Sequence, residues 1–449
     1  MLTNLHPELK TIPAEWPLFY VDELFLIQQE KQVSKKTRIG ENQRPFLRTK
    51  NVFWGTLDLF ELDRMHFSEK EEIRLSLKPG DLLVCEGGDI GRTSIWLGEI
   101  ERCYYQNHLH RLRSMNGDDV HPMFELYWFW YAFAIGRLYF GRGNVTTIPN
   151  LSRSRLAELP FPKPPLPEQK KIAYVLSTVQ KAIEQQEGII QLTTELKKAL
   201  MHKLFTEGTR GEPQKQTEIG PVPENWDILR LEQTGDIIYG IQASVANNFE
   251  PIGTKILTNK NITLEGGFNL EKVNYFELTT KRHKATVLKK GDLLFNWRSG
   301  SKQHVGKTAY FDLEGEYTHS SFILRIRPKR EVNGRYLYHY LNWLHESGYF
   351  VRLQTYAVNA KFNKSAVNNM PTAFPSRKEQ DTIADTLDFT ISKIENHKRT
   401  KQALKDLFRT LLHQLMTAKI CVNDIDFKEL KNVPKTMAKN SSTSLGNRE

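Results

Sequence analysis

The chain has 449 residues, enough for two or three domains, and 39% hydrophobic with 11% aromatic residues can fill real cores, which excludes a wholly disordered protein. Its 63 Lys and Arg against 52 Asp and Glu leave a net charge of +11 spread along the sequence. That balance points to a polyanionic partner, nucleic acid first and an anionic membrane surface second. Only three cysteines occur, Cys85, Cys103 and Cys421, none in a CxxC pair, so neither a disulfide framework nor a zinc knuckle is expected and the compartment reads as reducing.

In chain order, the opening "MLTNLHPELKTIPAEW" lacks the apolar core of a signal peptide. The most apolar run, "YWFWYAFAIGRLYF" at 127–140, is too short to span a bilayer and contains Arg137, so a cytoplasmic protein with no membrane association is expected. Alternating runs such as "DLLVCEGG" and "SIWLGEI", followed by the aromatic helical stretch at 123–140, predict an α+β globule over residues 1–163. Phe124, Tyr127, Trp128 and Tyr131 have helical spacing and read as core rather than as a platform for stacking bases. The lead-in "PFPKPPLPEQ" then opens a long helix at 164–206, because proline fixes an extended approach and is tolerated at a helix start. Its apolar positions Ile172, Leu176, Val179 and Ile183 advance by three or four, and Leu192, Leu196, Leu200 and Leu204 continue a shifted stripe. The polar segment at 207–222 reads as a surface linker.

Residues 223–373 form a second α+β globule, with "TAYFDL" and "FILRIRP" as strands and an aromatic helix at 335–350. A second long helix at 374–420 carries Ile383, Leu387, Ile394, Leu411 and Leu415, and the tail 421–449 is expected to be disordered beyond about Val433. The second half repeats the first. "LRTKNV" at 47–52 returns as "LTNKNI" at 257–262, "LKPGDLLV" at 77–84 as "LKKGDLLF" at 288–295, and Glu168-Gln169 as Glu379-Gln380, at a near-constant offset of 210 or 211 residues. Two equivalent globules related by a pseudo-twofold axis follow. The helices, about forty residues or roughly 60 Å each, lie antiparallel as a coiled coil that separates the globules.

One motif tests for nucleotide chemistry. "RSGSKQHVGKTAY" at 298–310 ends like a phosphate-binding P-loop, but Gly300 and Gly306 enclose five residues where such a loop requires four, and a strand follows where a helix should open. The equivalent stretch in the first half, "EGGDIGRTSIW", has Gly91-Arg92-Thr93, so both read as hairpin corners. No methyl-donor loop, HExxH, GxSxG or Asp…Glu-x-Lys nuclease set is found. Cys103, His108 and His110 lie on an alternating run that reads as an ordinary strand and leaves a fourth metal ligand unassigned. Catalysis and a bound metal are therefore not expected of this chain.

The duplicated "GDLL…G-[KR]-T" globule, the lead-in "LPFPKPPLPEQKKIAYVLSTVQKAIEQQEGIIQLTTELKKALMHKLFTEG" and the linker "TRGEPQKQTEIGPVPENW" together resemble the specificity subunit of a Type I restriction-modification enzyme. The resemblance covers essentially the whole chain apart from the tail. "MPTAFPSRKEQ", opening the second helix, departs from it by lacking the proline run. It implies that each globule is a target recognition domain reading one half of a split double-stranded DNA sequence, with the helices as a spacer. It further implies two modification (methyltransferase) subunits and restriction/translocase subunits as partners. S-adenosylmethionine, ATP and Mg2+ would then belong to the partners, and no cofactor to this chain. The residue types that read base edges and phosphates select Arg48, Lys50, Asn51, Arg92, Arg142 and Asn144 in the first globule. In the second they select Lys260, Asn261, Arg298, Lys302, Gln303, Lys307, Lys361 and Asn363. The competing reading from another class is a basic coiled-coil scaffold without sequence-specific DNA binding.

Overall fold

The computed structural model describes residues 6–29, 38–116, 119–139, 150–242, 252–299, 301–356 and 363–422, without the side chains of residues 11 and 354–356. Leu82–Cys85, apolar at every position, is buried on both faces as an inner strand. It belongs to an antiparallel sheet ordered Phe25–Gln29, Leu109–Ser114, Leu82–Cys85, Thr93–Ile95. A second sheet sets Gln43–Leu47 antiparallel to Asp63–His66 and parallel to Tyr104–Tyr105. The later half repeats this strand for strand. Its four-stranded sheet is ordered Gly235–Tyr239, Ile323–Pro328, Leu293–Asn296, Thr308–Tyr310, and its three-stranded sheet Asn274–Phe276, Thr254–Leu257, Tyr317–His319. "CYYQNHLHRLR", expected as one strand, is divided between the two sheets. Gln106 donates its backbone N–H to Leu47 and accepts from Leu109, which turns the chain out of one sheet and into the other.

The same buried polar contacts brace both copies. Asp81 is 1% exposed, accepts from the Lys78 N–H at 2.8 Å and takes two bonds of 2.6 Å from Arg113; Asp292 does the same with Lys289 and Arg327. A buried carboxylate is tolerated because its lone pairs are filled by a bidentate guanidinium and a backbone donor. Gln169, fully buried, accepts the His121 N–H at 2.7 Å and donates to the Pro164 carbonyl at 2.8 Å. Gln380 makes the equivalent bonds to Asn333 and Pro375. Each long helix is thereby tied to the aromatic helix of its globule, Pro122–Trp130 or Gly334–Glu346. This tie needs no proline run: the helices start at Leu166 and Arg377, the same offset apart as the rest of the repeat. Phe124, Tyr127, Trp128 and Tyr131 all lie in the first core.

The chain divides into two compact units, residues 1–187 with 399–449 and residues 188–398, so each unit contains half of each long helix. In the first unit Ile172 and Leu176 are buried with Leu415, and Val179, Ile183 and Leu411 pack against them; Phe408 lies against Tyr127 and Trp130. Lys401 pairs with Glu187 at 2.6 Å. In the second unit Ile383 and Leu387 are buried, Leu200 and Leu204 are half-buried beside them, and Thr209 donates to Glu379 at 3.0 Å. Ile394 is also buried. These contacts run antiparallel in each unit. The apolar stripes therefore meet the globules as well as the opposite helix, which a coiled-coil reading alone does not convey.

Three further expectations change. Leu192 and Leu196 stay 67% and 53% exposed. The step from Ile190 to Leu192 rotates the stripe by about 200°, and only the later i+4 steps, each about 40° past a full turn, bring Leu200 and Leu204 round to the core. The segment 207–222 is largely an antiparallel hairpin, Gln214–Thr217 with Gly220–Pro223, whose Val222 is fully buried in the second unit, rather than a free linker. The second long helix ends at Met416, where Ala418 takes a φ of 53° and stops the helix before residue 420. The tail beyond Val422 lies outside the described residues.

Phe205, near the end of the first long helix, is fully buried against Tyr336, Tyr340 and Trp343 with ring centroids 5.7, 5.4 and 5.4 Å away. Phe205→Ala is expected to destabilise the second unit by roughly 3–5 kcal/mol through loss of contact and an unfilled cavity. Urea unfolding followed by hydrogen exchange should show the loss in residues 223–373 and leave amide protection in residues 43–114 unchanged.

Candidate nucleic-acid interface

The "TKN" and "NKN" turns that follow the strands Gln43–Leu47 and Thr254–Leu257 have one design. Asn51 is 2% exposed; its Oδ1 accepts the Arg48 N–H at 3.0 Å and its Nδ2 donates to the Asp58 carbonyl at 3.0 Å. Asn261, 5% exposed, accepts from Thr258 and donates to the carbonyls of Asn269 and Lys272. Buried amides with filled bonding capacity hold loops and have nothing left for a base edge. Asn51 and Asn261, selected above as readers, are instead braces.

The basic residue of each hairpin corner is also committed to the fold. Lys307, 4% exposed, donates from Nζ to the Asn259 carbonyl at 2.9 Å and to the Ile262 carbonyl at 2.5 Å, and burial pushes its ammonium below the ordinary lysine range. Arg92 donates to the Thr49 carbonyl at 2.9 Å, pairs with Asp89 at 3.2 Å and lies over Phe53. In each copy the cation ties the corner back to the Asn-braced turn. Gly91 and Gly306 precede them with φ of 80° and 96°, and a Cβ on either would stand 2.1 Å from a ring carbon of Phe133 or Phe350. Glycine is required there by close packing and backbone conformation. Neither Arg92 nor Lys307 is presented as a reader. Asn363 caps the short helix Lys364–Asn368 through the Ala366 N–H, another structural use.

The remaining candidates lie at the surface. Arg48 bonds Asp63 at 2.8 Å and Gln106 at 3.2 Å, and Lys50 approaches Asp63 at 3.6 Å; both cations keep about half their side chains in solvent. The Arg48 hydrogen bond, with Lys50 beside it, holds the Asp63 carboxyl below its usual range against the opposing effect of burial. Arg38, Phe46, Arg48, Asp63, Arg64 and Gln106 line an open depression of about 570 Å³. In the second unit Lys260, Lys302 and Gln303 are exposed, and Arg298 lies over Phe322 at 5.5 Å. Arg142, Asn144 and Lys361 fall outside the described residues.

Asp63, Arg64 and Gln106 were not legible as site residues. They come to Arg48 only because Phe46 pairs with Asp63 and Leu47 with Tyr105 across the three-stranded sheet. That register also locates their counterparts: Thr258, Asn274 and Ser320 stand where Arg48, Asp63 and Gln106 do. One copy thus presents an Arg–Asp ion pair joined to a glutamine on a frame on which the other presents three uncharged residues. Cys103 is buried, His110 bonds the Leu151 carbonyl at 2.7 Å and His108 approaches Glu86 at 3.2 Å, so these three do not converge. No group of metal-ligating side chains occurs among the described residues, and no described helix is long and apolar enough to cross a membrane.

Lys307→Ala should strand two buried carbonyls and cost about 2–3 kcal/mol of stability. Lys260→Ala should leave thermal unfolding within about 0.5 kcal/mol of the parent. Equal melts for the two variants would refute the division into braces and surface cations.

The Type I restriction modification DNA specificity domain matches the chain twice, at residues 13–194 and 223–406. The chain is similar to the putative type I restriction enzyme MjaX specificity subunit of Methanocaldococcus jannaschii, 24% identical over 433 residues that cover 92% of this chain and 96% of that protein. It is also similar to the type I restriction enzyme MjaVIII specificity subunit of the same organism, 25% identical over 287 residues, 63% of this chain and 67% of that one. Among solved structures, a chain from a type I R-M system superposes with a TM-score of 0.60 at 17% identity, covering 91% of this chain and 99% of that one. The S subunit of the Type-I restriction-modification system from M. genitalium superposes with a TM-score of 0.52 at 16% identity, covering 92% and 97%. Both share its fold. With the same domain matched in each half and braced by the same buried residues, this chain belongs to the Type I restriction-modification DNA specificity family.

Proposed function

We propose that the chain is the DNA-recognition subunit of a Type I restriction-modification assembly, in which each unit reads one half of a bipartite duplex target. The supporting observation is the contrast within the duplication: frame residues recur in place, while Arg48, Asp63 and Gln106 are replaced by Thr258, Asn274 and Ser320. A constant frame with exchanged surface groups suits two readers of different sequences, because base edges are discriminated by the donors and acceptors placed against them. A scaffold that used its charge for solubility would need no such difference.

On this reading the long helices set the gap between half-sites. A helix of 42 residues extends about 63 Å at 1.5 Å per residue, longer than one turn of duplex, about 34 Å. Apolar residues that the helices leave exposed, Leu192, Leu196, Phe389 and Leu407, suit docking of two modification subunits, one for each repeat. Restriction/translocase subunits would join through these. Methyl transfer with S-adenosylmethionine, and ATP- and Mg2+-dependent translocation and cleavage, would be carried by the partners, with no catalytic step on this chain.

Two experiments test the division of labour, each read by sequencing modified bases in cells. Replacing residues 1–163 with the equivalent region of another family member should change one half of the methylated sequence and leave the other intact; alteration of both halves would reject modular reading. Inserting four residues after Gln191, in the loosely packed middle of the first long helix, adds about 6 Å and slightly more than one turn. The permitted gap should lengthen, and methylation confined to the original spacing would show that the helix is not the ruler.

A further inference from the structure

Phe60 is 91% exposed, the most exposed large apolar side chain among the described residues. Single exposed apolar residues are common and by themselves mean nothing. This one is held out by its surroundings. Leu57, Leu59 and Leu62 on either side pack into the core beneath, so the loop is anchored while the phenyl ring stands clear. The Phe60 N–H donates to Asp58 Oδ1 at 3.1 Å, closing a tight turn, and the Asp58 carbonyl is bound from below by the buried Asn51 amide. That same amide holds the Arg48–Asn51 turn, so one brace positions the aromatic ring together with Arg48 and Lys50.

The second unit supplies the comparison. Asn269 makes the equivalent turn, accepting the Glu271 N–H at 3.0 Å, over the equivalent Asn261 amide. The residue standing where Phe60 does is therefore Glu271, an exposed carboxylate, although the loop beneath is built the same way. The phenyl ring is not required by the turn. It belongs with the Arg48–Asp63 pair as something the first unit presents at a position where the second does not.

Resting on the DNA-recognition reading, we propose that Phe60 is an aromatic wedge that stacks against a base step in the half-site read by the first unit, beside the Arg48–Lys50 cations. An exposed, preorganised ring on a loop braced together with the Arg48–Lys50 turn suits this use, with the carboxylates of Asp58 and Glu61 on either side of it in the loop. The cations draw in the phosphates, and an apolar side chain pushed between base pairs unstacks and kinks the duplex. Glu271 offers no ring to stack at the same place, so the second half-site is read without such a wedge.

The test uses the full chain assembled with the modification subunits proposed for it, on a duplex carrying the target found by sequencing modified bases. 2-Aminopurine replaces each adenine of the first half-site in turn. Binding by the parent should raise fluorescence at one step. Phe60→Ala should abolish that rise and weaken binding roughly ten- to a hundredfold, the range for losing one base–aromatic stack, while Phe60→Trp retains both. A rise that persists in Phe60→Ala, unchanged affinity, or a defect only in assembly with the modification subunits overturns the wedge. Methylation and protection of the second half-site by the same variant separate these results from failure of the DNA-recognition reading, which sequence-independent binding by the parent would show. Since the ring is solvent-exposed, thermal unfolding of Phe60→Ala should match the parent, and a lowered melt would mean that the residue is structural.

Discussion

A helix of forty residues with apolar residues along its length cannot leave most of them in water, and one small globule cannot cover them all. Burial of each large aliphatic side chain contributes on the order of 1.5–3 kcal/mol, so the stripe governs how the rest of the chain is arranged. In each compact unit the answer is the same. The beginning of one long helix and the end of the other lie antiparallel against a globule, with Ile172, Leu176, Leu412 and Leu415 buried in the first unit and Met201, Phe205, Ile383 and Leu387 in the second. The first globule is completed by the end of the second long helix, from far along the chain, and the second by the end of the first long helix, which precedes it.

The helix starts must then be held at fixed positions on the globules, and the globules themselves held in shape, and buried polar residues do both. Gln169 and Gln380 tie helix to globule, Asp81 and Asp292 tie sheet to turn, and Asn51 and Asn261 tie turn to loop. Each is buried with its hydrogen bonds made, and each recurs in the other copy. Such contacts add less net stability than the apolar core does, but each would be costly to leave half-made, so they select one geometry. The residues free to differ are those the braces push outward, and Arg48 and Phe60 in the first unit, against Thr258 and Glu271 in the second, show two copies of one frame carrying different chemistry.

The P-loop-like letters illustrate how a functional motif and a packing motif can share a spelling. Glycine, a cation and threonine bind phosphate when a helix follows and the amides point at a common centre. In this chain the glycine faces an aromatic ring, the cation faces backbone carbonyls, and the threonine hydroxyl closes on the glycine's own carbonyl, at 2.8 Å from Thr93 and 3.0 Å from Thr308. All three residues are consumed by the corner.

The duplication, the α+β globules and the two long helices could be read from the sequence because each rests on periodicity or on offsets along the chain, which tertiary contacts do not alter; the family was legible through the resemblance of the lead-in and linker segments. Among the candidate site residues the reading selected by side-chain type and could not see use. Arg, Lys and Asn are the side chains that touch DNA, yet the same hydrogen-bonding capacity makes Asn51, Asn261 and Lys307 useful inside, and composition cannot tell which way a side chain faces. Strand register decided that. It brought Asp63 and Gln106, from 15 and 58 residues away, to Arg48, while apolar packing set the end of the second long helix against the first globule and the Asn51-braced turn held Phe60 clear of the leucines around it. A one-residue change of register would exchange inward and outward faces, so the identity of the exposed surface is a property of the folded sheets and not of the letters in order.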